Sequence, residues 1–228
     1  MTIGIIFAMQ IELDAFIAHY DTVQQHDDTK LVMYSIEHKT HKIICGLSGI
    51  GKVNAAIATT TMLTKHPIDV LFNIGVAGGI NVPIATIVLA EKTMYGDVNL
   101  HAFGYPLGQL PNQDLNQHSD QRLLTQTLEV IEKHQFDHHV GWIASGDQFV
   151  IDIASVEPLL TMYPKICAVD MESASIMHVA NHFSIPALVI RSISDQVGTE
   201  NQSLEFNQFV RIAAQKVAAL LKETIEIL

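Results

Sequence analysis

The sequence predicts a single-domain three-layer α/β/α sandwich with a mixed central sheet, spanning residues 1–228. Short, continuous apolar runs typical of buried strands alternate along the chain with longer segments whose apolar residues have helical spacing. No repeat, low-complexity tract or linker-like stretch separates these segments. Because such alternation favours helices packed on both faces of one sheet, we expect one α/β domain.

The chain is predicted to begin with a buried strand and to continue into a hairpin. Residues 3–8 are apolar without alternation, and residues 10–20 follow with the spacing of a helix. Residues 31–37 and 42–47 are predicted as paired strands, because the polar stretch His38–His41 separates two apolar runs.

Two glycine-rich turns are predicted next. Gly49–Lys52 follows the hairpin and precedes a helix over residues 53–63, and Gly75–Gly79 ends a strand over residues 70–74. Glycine lets backbone approach a ligand closely, although an ordinary tight turn explains either segment equally well. Neither segment is a Walker A loop or a dinucleotide-binding fingerprint.

The second half of the chain continues the alternation after a strand at residues 85–90. Residues 95–113, interrupted by glycine and proline, are predicted as a long loop, which in a compact domain is typical of a functional or interface segment. The remaining elements are a helix at residues 123–134, a strand at 139–144, a turn at 145–147, a helix at 171–183, a strand at 187–190 and a helix at 206–227.

Composition excludes several classes of function. The net charge is −11 and arginine occurs only at Arg122, Arg191 and Arg211, so there is no basic face for nucleic acid and little guanidinium to hold phosphate. Cys45 and Cys167 lie in apolar, strand-like segments and are expected to be buried free thiols. With no apolar run of membrane-spanning length and no signal-peptide pattern, we expect a soluble, cytoplasmic protein that does not bind membranes.

Two acids lie at predicted element ends. Glu172 begins the helix at 171–183, and Asp195 lies beyond the strand at 187–190, at the carboxyl edge where open α/β sheets bind ligands. Either residue could be structural, as a helix cap or the start of a turn. Glu12, in the first turn after the first strand, either complements the helix dipole or serves as a general base facing the same cleft.

Metal and serine-nucleophile chemistry find little support. His178 and His182 are four residues apart on a predicted helix, but no acid completes an H-E-x-x-H pattern. Scattered surface histidines explain the pair better than a zinc site does. A G-x-S-x-G motif is also missing from the sequence, which argues against a serine nucleophile. The weak histidine pattern leads us to expect no metal site.

These pieces together resemble one family over essentially the whole chain: the bacterial 5′-methylthioadenosine/S-adenosylhomocysteine nucleosidases, in the purine nucleoside phosphorylase superfamily. Met171-Glu172 and Arg191–Asp195 are similar to motifs of the superfamily, and Ala102–Tyr105 with Gly108–Pro111 resembles the nucleosidase branch. The matching segments are residues 3–13, 47–56, 73–79, 102–111, 145–149, 169–174 and 191–195.

The resemblance implies a nucleoside-phosphorylase-like fold and irreversible hydrolysis of an adenine N-glycosidic bond, with no cofactor. It implies that Asp195 is the general acid at the purine N7 and that Glu12 is the general base on the attacking water. It further implies that Glu172 binds the ribose hydroxyls, that Ser194 supports Asp195, and that Arg191 helps to hold the acids and the water.

The resemblance also implies contacts around the nucleoside. Phe149 is expected to stack on adenine, and the backbone of Val150 to bind the edge of the base. Phe103 and Tyr105 resemble residues that reach into a neighbouring subunit's site, which implies a homodimer. The remaining contacts are expected from Met9, Ile50, Val76, Ala77, Gly78, Met171 and Phe206.

Three residues depart from the family pattern, which usually has glycine at position 7, serine at 76 and tyrosine at 107; this chain has Phe7, Val76 and Leu107. Val76 removes a hydroxyl near the expected position of the ribose and the water. Two alternatives stand beside hydrolysis. One is a phosphorolytic enzyme of the same superfamily, against which the few arginines and the apolar Val76 argue. The other is a catalytically weak adenine-nucleoside binder in which Val76 impairs hydrolysis.

Overall fold

The computed structural model describes residues 1–26 and 31–228, which form a mixed sheet with helices on both faces. The strands are β1 Thr2–Phe7, β2 Gln24–His26, β3 Val32–His38, β4 His41–Leu47, β5 Val70–Gly79, β6 Ile87–Tyr95, β7 Gln117–His118, β8 His138–Ser145, β9 Ile166–Asp170 and β10 Ala187–Gln196. The α-helices are α1 Gln10–Ile17, α2 Lys52–Lys65, α3 Gln121–His134, α4 Glu157–Met162, α5 Ser173–His182 and α6 Gln202–Ile225. Short 3₁₀ turns occur at His101–Phe103 and Ile153–Ser155.

The sheet runs in the order β10-β6-β8-β9-β5-β1-β4-β3-β2, with β7 added beside β6. Strand β5 is parallel to both β1 and β10, whereas β10 pairs antiparallel with β6 and β5 pairs antiparallel with β9. The mixed sheet predicted from the sequence is therefore confirmed. Because β10 pairs with β5 as well as with β6, strands β5, β10, β6, β8 and β9 also close on themselves.

The core lies on both faces of this sheet, as the alternation of neighbouring side chains shows. Ile5 packs in the cluster shared with α1, α3 and α6, while the adjacent Ile6 packs in the cluster shared with α2 and α5. Phe7 belongs to the first cluster, is fully buried, and has its ring centroid 5.7 Å from that of Phe16. This departure from the family pattern is therefore accommodated in the core and not in a ligand site.

Several predicted element boundaries differ from the observed ones. The predicted turn at Gly75–Gly79 is wrong, because β5 continues through it while pairing with β10 and β9. The helix predicted from Met171 begins at Ser173, and the last helix begins at Gln202, earlier than position 206. Strands β2 and β7 and helix α4 are not foreseen from the sequence.

Two other expectations concern composition. Cys45 and Cys167 are buried free thiols, as predicted. In the part of the chain that the structure describes, none of the helices combines the length and apolar character needed to cross a membrane.

Candidate active site

A cavity of about 100 Å³ opens where β1, β5, β9 and β10 end. Its walls come from distant parts of the chain, which the parallel pairing of β1, β5 and β10 brings to one edge of the sheet. Twelve of the residues named from the sequence line it: Met9, Glu12, Ile50, Val76, Ala77, Gly78, Phe149, Met171, Glu172, Ser194, Asp195 and Phe206.

Glu12 lies in the first turn of α1, where its carboxylate accepts hydrogen bonds from three backbone amides. Its Oε2 accepts from the amides of Ala8 (3.1 Å) and Met9 (2.9 Å), and its Oε1 accepts from the amide of Val76 (3.0 Å). Burial raises the pKa of this carboxyl, while the charge of Arg191 and the three amides oppose the rise. Gly75 makes the arrangement possible, since a Cβ there would lie 2.6 Å from Glu12 Oε1.

Asp195 lies near the end of β10 with both carboxylate oxygens engaged. Its Oδ1 accepts from the hydroxyl of Ser194 (2.6 Å), and its Oδ2 accepts from the side-chain amide of Gln202 (2.8 Å). Burial raises the pKa of Asp195, whereas these two donors lower it. A carboxyl that is both buried and hydrogen-bonded in a cleft is a candidate for proton transfer.

Glu172 occupies the position just before α5 and faces the Gly49–Lys52 turn. Its Oε1 accepts from the amide of Gly51 (2.8 Å), across a sequence separation of 121 residues. Burial and then the neighbouring charge of Asp170 raise the pKa of Glu172 to about 7. A carboxyl with that pKa changes charge within the physiological pH range.

Beneath the cavity, Asp170 and Arg191 form a buried ion pair with side chains 2% exposed. Arg191 NH2 lies 2.8 Å from Asp170 Oδ2 and also donates to Asn73 Oδ1 (2.6 Å) and to the Ser173 hydroxyl (2.8 Å). The hydroxyl of Ser145 donates to Asp170 Oδ1 (2.5 Å). Arg191 thus pairs with Asp170 and does not line the cavity, so it acts on Glu12 and Glu172 only through its charge.

The far end of the cavity is aromatic. Phe149 and Phe206 meet edge to face with ring centroids 5.8 Å apart, and Phe149 is 45% exposed. Val150 does not line this cavity and instead lines a smaller pocket, which Phe149 and Asp195 also line. The carbonyl of Val150 accepts from the side-chain amide of Gln202 (2.8 Å).

A lysine ties together three segments around the cavity. Lys52 Nζ lies 2.6 Å from both carboxylate oxygens of Asp97, and the Lys52 amide donates to Asp147 Oδ1 (2.8 Å). The amide of Asp147 in turn donates to Asp97 Oδ2 (3.0 Å). This cluster fixes the turn that presents Gly51 to Glu172.

Phe103 and Tyr105 do not line the cavity of their own chain. Phe103 lies in the 3₁₀ turn with 77% of its surface exposed, and Tyr105 is half-buried. No group of three or more His, Cys, Asp or Glu side chains in the described ranges is arranged to hold a metal ion. His178 is hydrogen-bonded to the hydroxyl of Tyr95 (2.9 Å).

Comparison with known proteins places this geometry in a family. The profile of the phosphorylase superfamily matches residues 2–226. A curated 5′-methylthioadenosine/S-adenosylhomocysteine nucleosidase from Tolumonas auensis is 35% identical over 224 residues, covering 97% of each chain. The chain belongs to the 5′-methylthioadenosine/S-adenosylhomocysteine nucleosidase family of the phosphorylase superfamily.

Two solved structures match the chain over its whole length. The 5′-methylthioadenosine/S-adenosylhomocysteine nucleosidase from Neisseria meningitidis, in complex with methylthio-immucillin-A, matches with a TM-score of 0.95 and 30% identity, over 100% of this chain and 99% of the other. The native structure of futalosine hydrolase from Helicobacter pylori matches with a TM-score of 0.95 and 31% identity, over 100% and 98% of the two chains.

Against the nucleosidase family pattern, Val76 is the departure that reaches the site. Its side chain lines the cavity while its backbone amide still binds Glu12, so the carboxylate is held without a serine hydroxyl. Leu107 lies away from the cavity, where its carbonyl accepts from the hydroxyl of Tyr163 (3.0 Å).

Sequence reasoning assigned no role to Asp170, Ser173, Asn73 or Gln202. Asp170 had a usable signal, since it ends an apolar strand directly before Met171. Gln202 had no usable sequence signal, because it is a polar residue in a segment that the sequence predicts as a loop.

Proposed function

We propose that the protein hydrolyses the N-glycosidic bond of 5′-methylthioadenosine and S-adenosylhomocysteine, and of 5′-deoxyadenosine, releasing adenine and the free sugar. The observation that carries the proposal is a single cavity lined by Glu12, Glu172 and Asp195, three buried acids with different partners. Membership of the nucleosidase family supports the choice of substrate.

Asp195 serves as the general acid. Adenine is a poor leaving group as an anion, so a proton delivered to N7 lets it depart neutral, and such a transfer accelerates reactions by about 10²–10⁴-fold. Burial raises the pKa of Asp195 toward the range where it can carry that proton. Ser194 orients the carboxyl through its 2.6 Å hydrogen bond.

Glu12 serves as the general base and Glu172 binds the ribose. Three amide donors favour the ionised form of Glu12 and fix its direction, which suits a base that removes a proton from water. As the bond to adenine breaks, the sugar gains oxocarbenium character, which a carboxylate beside the ribose stabilises. Glu172 has one oxygen on Gly51, and its other oxygen is left for the ribose hydroxyls.

Hydrolysis is favoured over phosphorolysis by the charge of the cavity. Among the described residues that line it there is no lysine, arginine or histidine. Arg191, the nearest guanidinium, already serves Asp170, Asn73 and Ser173. A phosphate dianion would therefore meet four acids, Glu12, Asp170, Glu172 and Asp195, with no cation in the described lining to balance its charge.

The protein is further proposed to act as a cytoplasmic homodimer in which Phe103 and Tyr105 complete the neighbouring site at its 5′ end. Phe103 is 77% exposed, and Val53 and Ile57 on the outer side of α2 are 68% and 60% exposed. Large apolar side chains at the surface support an interface with a second copy of the chain. Phe103→Ala should raise KM for methylthioadenosine while leaving the sedimentation coefficient of the dimer unchanged. A monomeric wild-type protein would contradict the proposal.

The direct test is adenine release from each nucleoside, followed with and without phosphate, with Asp195→Asn as the inactive reference. Adenine and free sugar should form at a rate that phosphate does not change. Phosphate-dependent formation of a sugar 1-phosphate would indicate a phosphorylase. Binding without adenine release would indicate a nucleoside-binding protein.

A further inference from the structure

Gln202, in the first turn of α6, carries a buried carboxamide that faces the base end of the site. Its residue surface is only 4% exposed. Its amide nitrogen donates to the carbonyl of Val150 and to Asp195 Oδ2, both at 2.8 Å. Its carbonyl oxygen accepts from the amide of Gly198 (3.0 Å), so every polar atom of the side chain is satisfied inside the protein.

The two acceptors of this amide are the ones an adenine amine would use. The exocyclic amine of adenine has two hydrogens, one beside N7 and one beside N1. Under the proposed function, Asp195 is at the N7 side, and the family resemblance implies that the Val150 backbone binds the edge of the base, which we take to be the edge opposite N7. A planar amide NH₂ and a planar aryl NH₂ present their two hydrogens alike, so Gln202 imitates the amine.

The space around Gln202 is too small to admit a base beside it. The pocket lined by Gln148, Phe149, Val150, Asp195 and Gln202 has a volume of about 30 Å³. That volume suits an ordered water and not a bicyclic purine. A purine amine that bonds both Asp195 Oδ2 and the Val150 carbonyl must therefore displace the Gln202 amide, which already occupies both acceptors.

We propose that Gln202 is a gate: in the free enzyme its carboxamide occupies the position of the purine amine, and it leaves when adenine or an adenine nucleoside binds. This inference rests on the proposed function, because it assumes that the base lies between Val150 and Asp195. It goes beyond that function because it has the protein's own Gln202 side chain fill the site of the purine amine when no ligand is bound.

The chain offers a route for this displacement. Gly198 has φ of +86° in the exposed turn between β10 and α6, and it is the residue that holds the Gln202 carbonyl. Phe206 lies one turn further along α6, on the same face as Gln202, and packs against Phe149. Movement of this first turn therefore links release of the gate to the aromatic side chain proposed to stack on the base.

Displacement of the Gln202 side chain also changes the pKa of Asp195. The Gln202 amide donates to Asp195 and so lowers the pKa of that carboxyl. When the amide departs, this stabilisation of the ionised form is lost as the base arrives. Proton uptake by Asp195 is thereby coupled to occupancy of the site.

Calorimetric titration of the full chain with free adenine tests the gate. A competing internal group lowers apparent affinity in proportion to the closed fraction, so Gln202→Ala should bind adenine about five- to tenfold more tightly. Gln202→Met keeps the length of the side chain without its amide and should bind adenine more tightly by the same factor. It replaces Gln202→Ala in the titration where that variant folds poorly. Gln208→Ala makes the same exchange at an exposed position of α6 and should match wild type.

The side-chain amide of Gln202 gives a second readout that a purely structural role would not move. Its NH₂ resonances, identified by their loss in Gln202→Ala, should exchange slowly with water in the free protein and rapidly once adenine is bound. Amide protection that persists with adenine bound, or weaker adenine binding by both Gln202 variants, overturns the gate alone. A wild-type chain that binds no adenine overturns the proposed function and the gate together.

Discussion

Replacing Glu172 with glutamine should stabilise the protein in a pH-dependent way while impairing it as an enzyme. The pKa of Glu172 is raised from 4.5 to about 7, first by burial and then by the charge of Asp170, and at about 1.4 kcal/mol per pKa unit the buried charge costs about 3 kcal/mol. The side chain is enclosed, so solvent screening does not reduce this figure much. A glutamine oxygen can still accept the hydrogen bond from Gly51.

The sign of the effect follows from proton binding. Between pH 4.5 and about 7 the folded protein holds a proton on Glu172 that the unfolded chain releases. The contribution of protonated Glu172 is therefore complete below pH 4.5 and is lost as pH rises through about 7. Glu172→Gln should match wild type near pH 4.5 and exceed its free energy of unfolding by about 3 kcal/mol at pH 8.

Urea unfolding at several pH values between 5 and 8 measures this difference. An advantage of about 3 kcal/mol moves the urea midpoint upward by about 1–2 M for a protein of this size. Glu132→Gln, at an exposed position on α3, is the matched control and should show no growing difference. A Glu172→Gln advantage that does not increase with pH would refute the electrostatic reasoning.

The same ionisation should govern activity. If the ionised Glu172 stabilises the ribose cation, kcat/KM of the wild type should rise about tenfold between pH 6 and pH 8, the change in ionised fraction for a pKa of about 7. Glu172→Gln should be slow at every pH. If both results are obtained, Glu172 keeps a destabilising charge that the reaction requires, a common pattern at active sites.

Asp195→Asn should reduce kcat by about 10²–10⁴-fold, since the amide cannot deliver a proton, yet still bind methylthioadenosine in calorimetry; near-normal turnover would remove Asp195 from the acid role. Gly75→Ala should lower kcat by about 10²-fold or more with little change in the circular dichroism spectrum, because its Cβ would displace Glu12 Oε1 from 2.6 Å away; unchanged kcat would contradict the base assignment. Lys52→Met should loosen the turn that carries Gly51 and weaken the hydrogen bond that lowers the pKa of Glu172. The acid limb of the pH–rate profile should then move to higher pH, and an unchanged acid limb would contradict this role of Lys52.

Local patterns sufficed for most of the fold. Apolar runs located β1, β4, β8 and the start of β10, because burial on both faces leaves a mark in neighbouring residues. The glycines of β5 misled the prediction, since glycine is usual in turns, whereas here Gly75 makes room for Glu12 and Gly79 for the carbonyl of Val82. The short β2 and β7 carry too few residues to show any period.

The acids could be named from the sequence, and their chemistry could not. Glu12 follows β1 and Asp195 ends β10, and the parallel pairing of both strands with β5 gathers these acids at one edge, as the fold class predicts. Glu172 follows β9, which reaches the same edge although it is antiparallel to β5. Their partners Gly51, Val76 and Gln202 are set by strand register and loop path, which determine the hydrogen bonds that the carboxylate oxygens accept. No local pattern encodes that information.

The mixed α/β domain, the acids at strand ends and the resemblance to a family can all be read from the amino-acid sequence. The pairing of Arg191 with Asp170, the contact of Gly51 with Glu172 and the hydrogen bond from Gln202 to Asp195 appear only in the folded chain. The difference lies in the distance along the chain over which each effect acts. Periodicity and propensity act over a few residues, whereas burial, hydrogen bonding and pKa depend on groups that folding brings together from opposite ends of the chain.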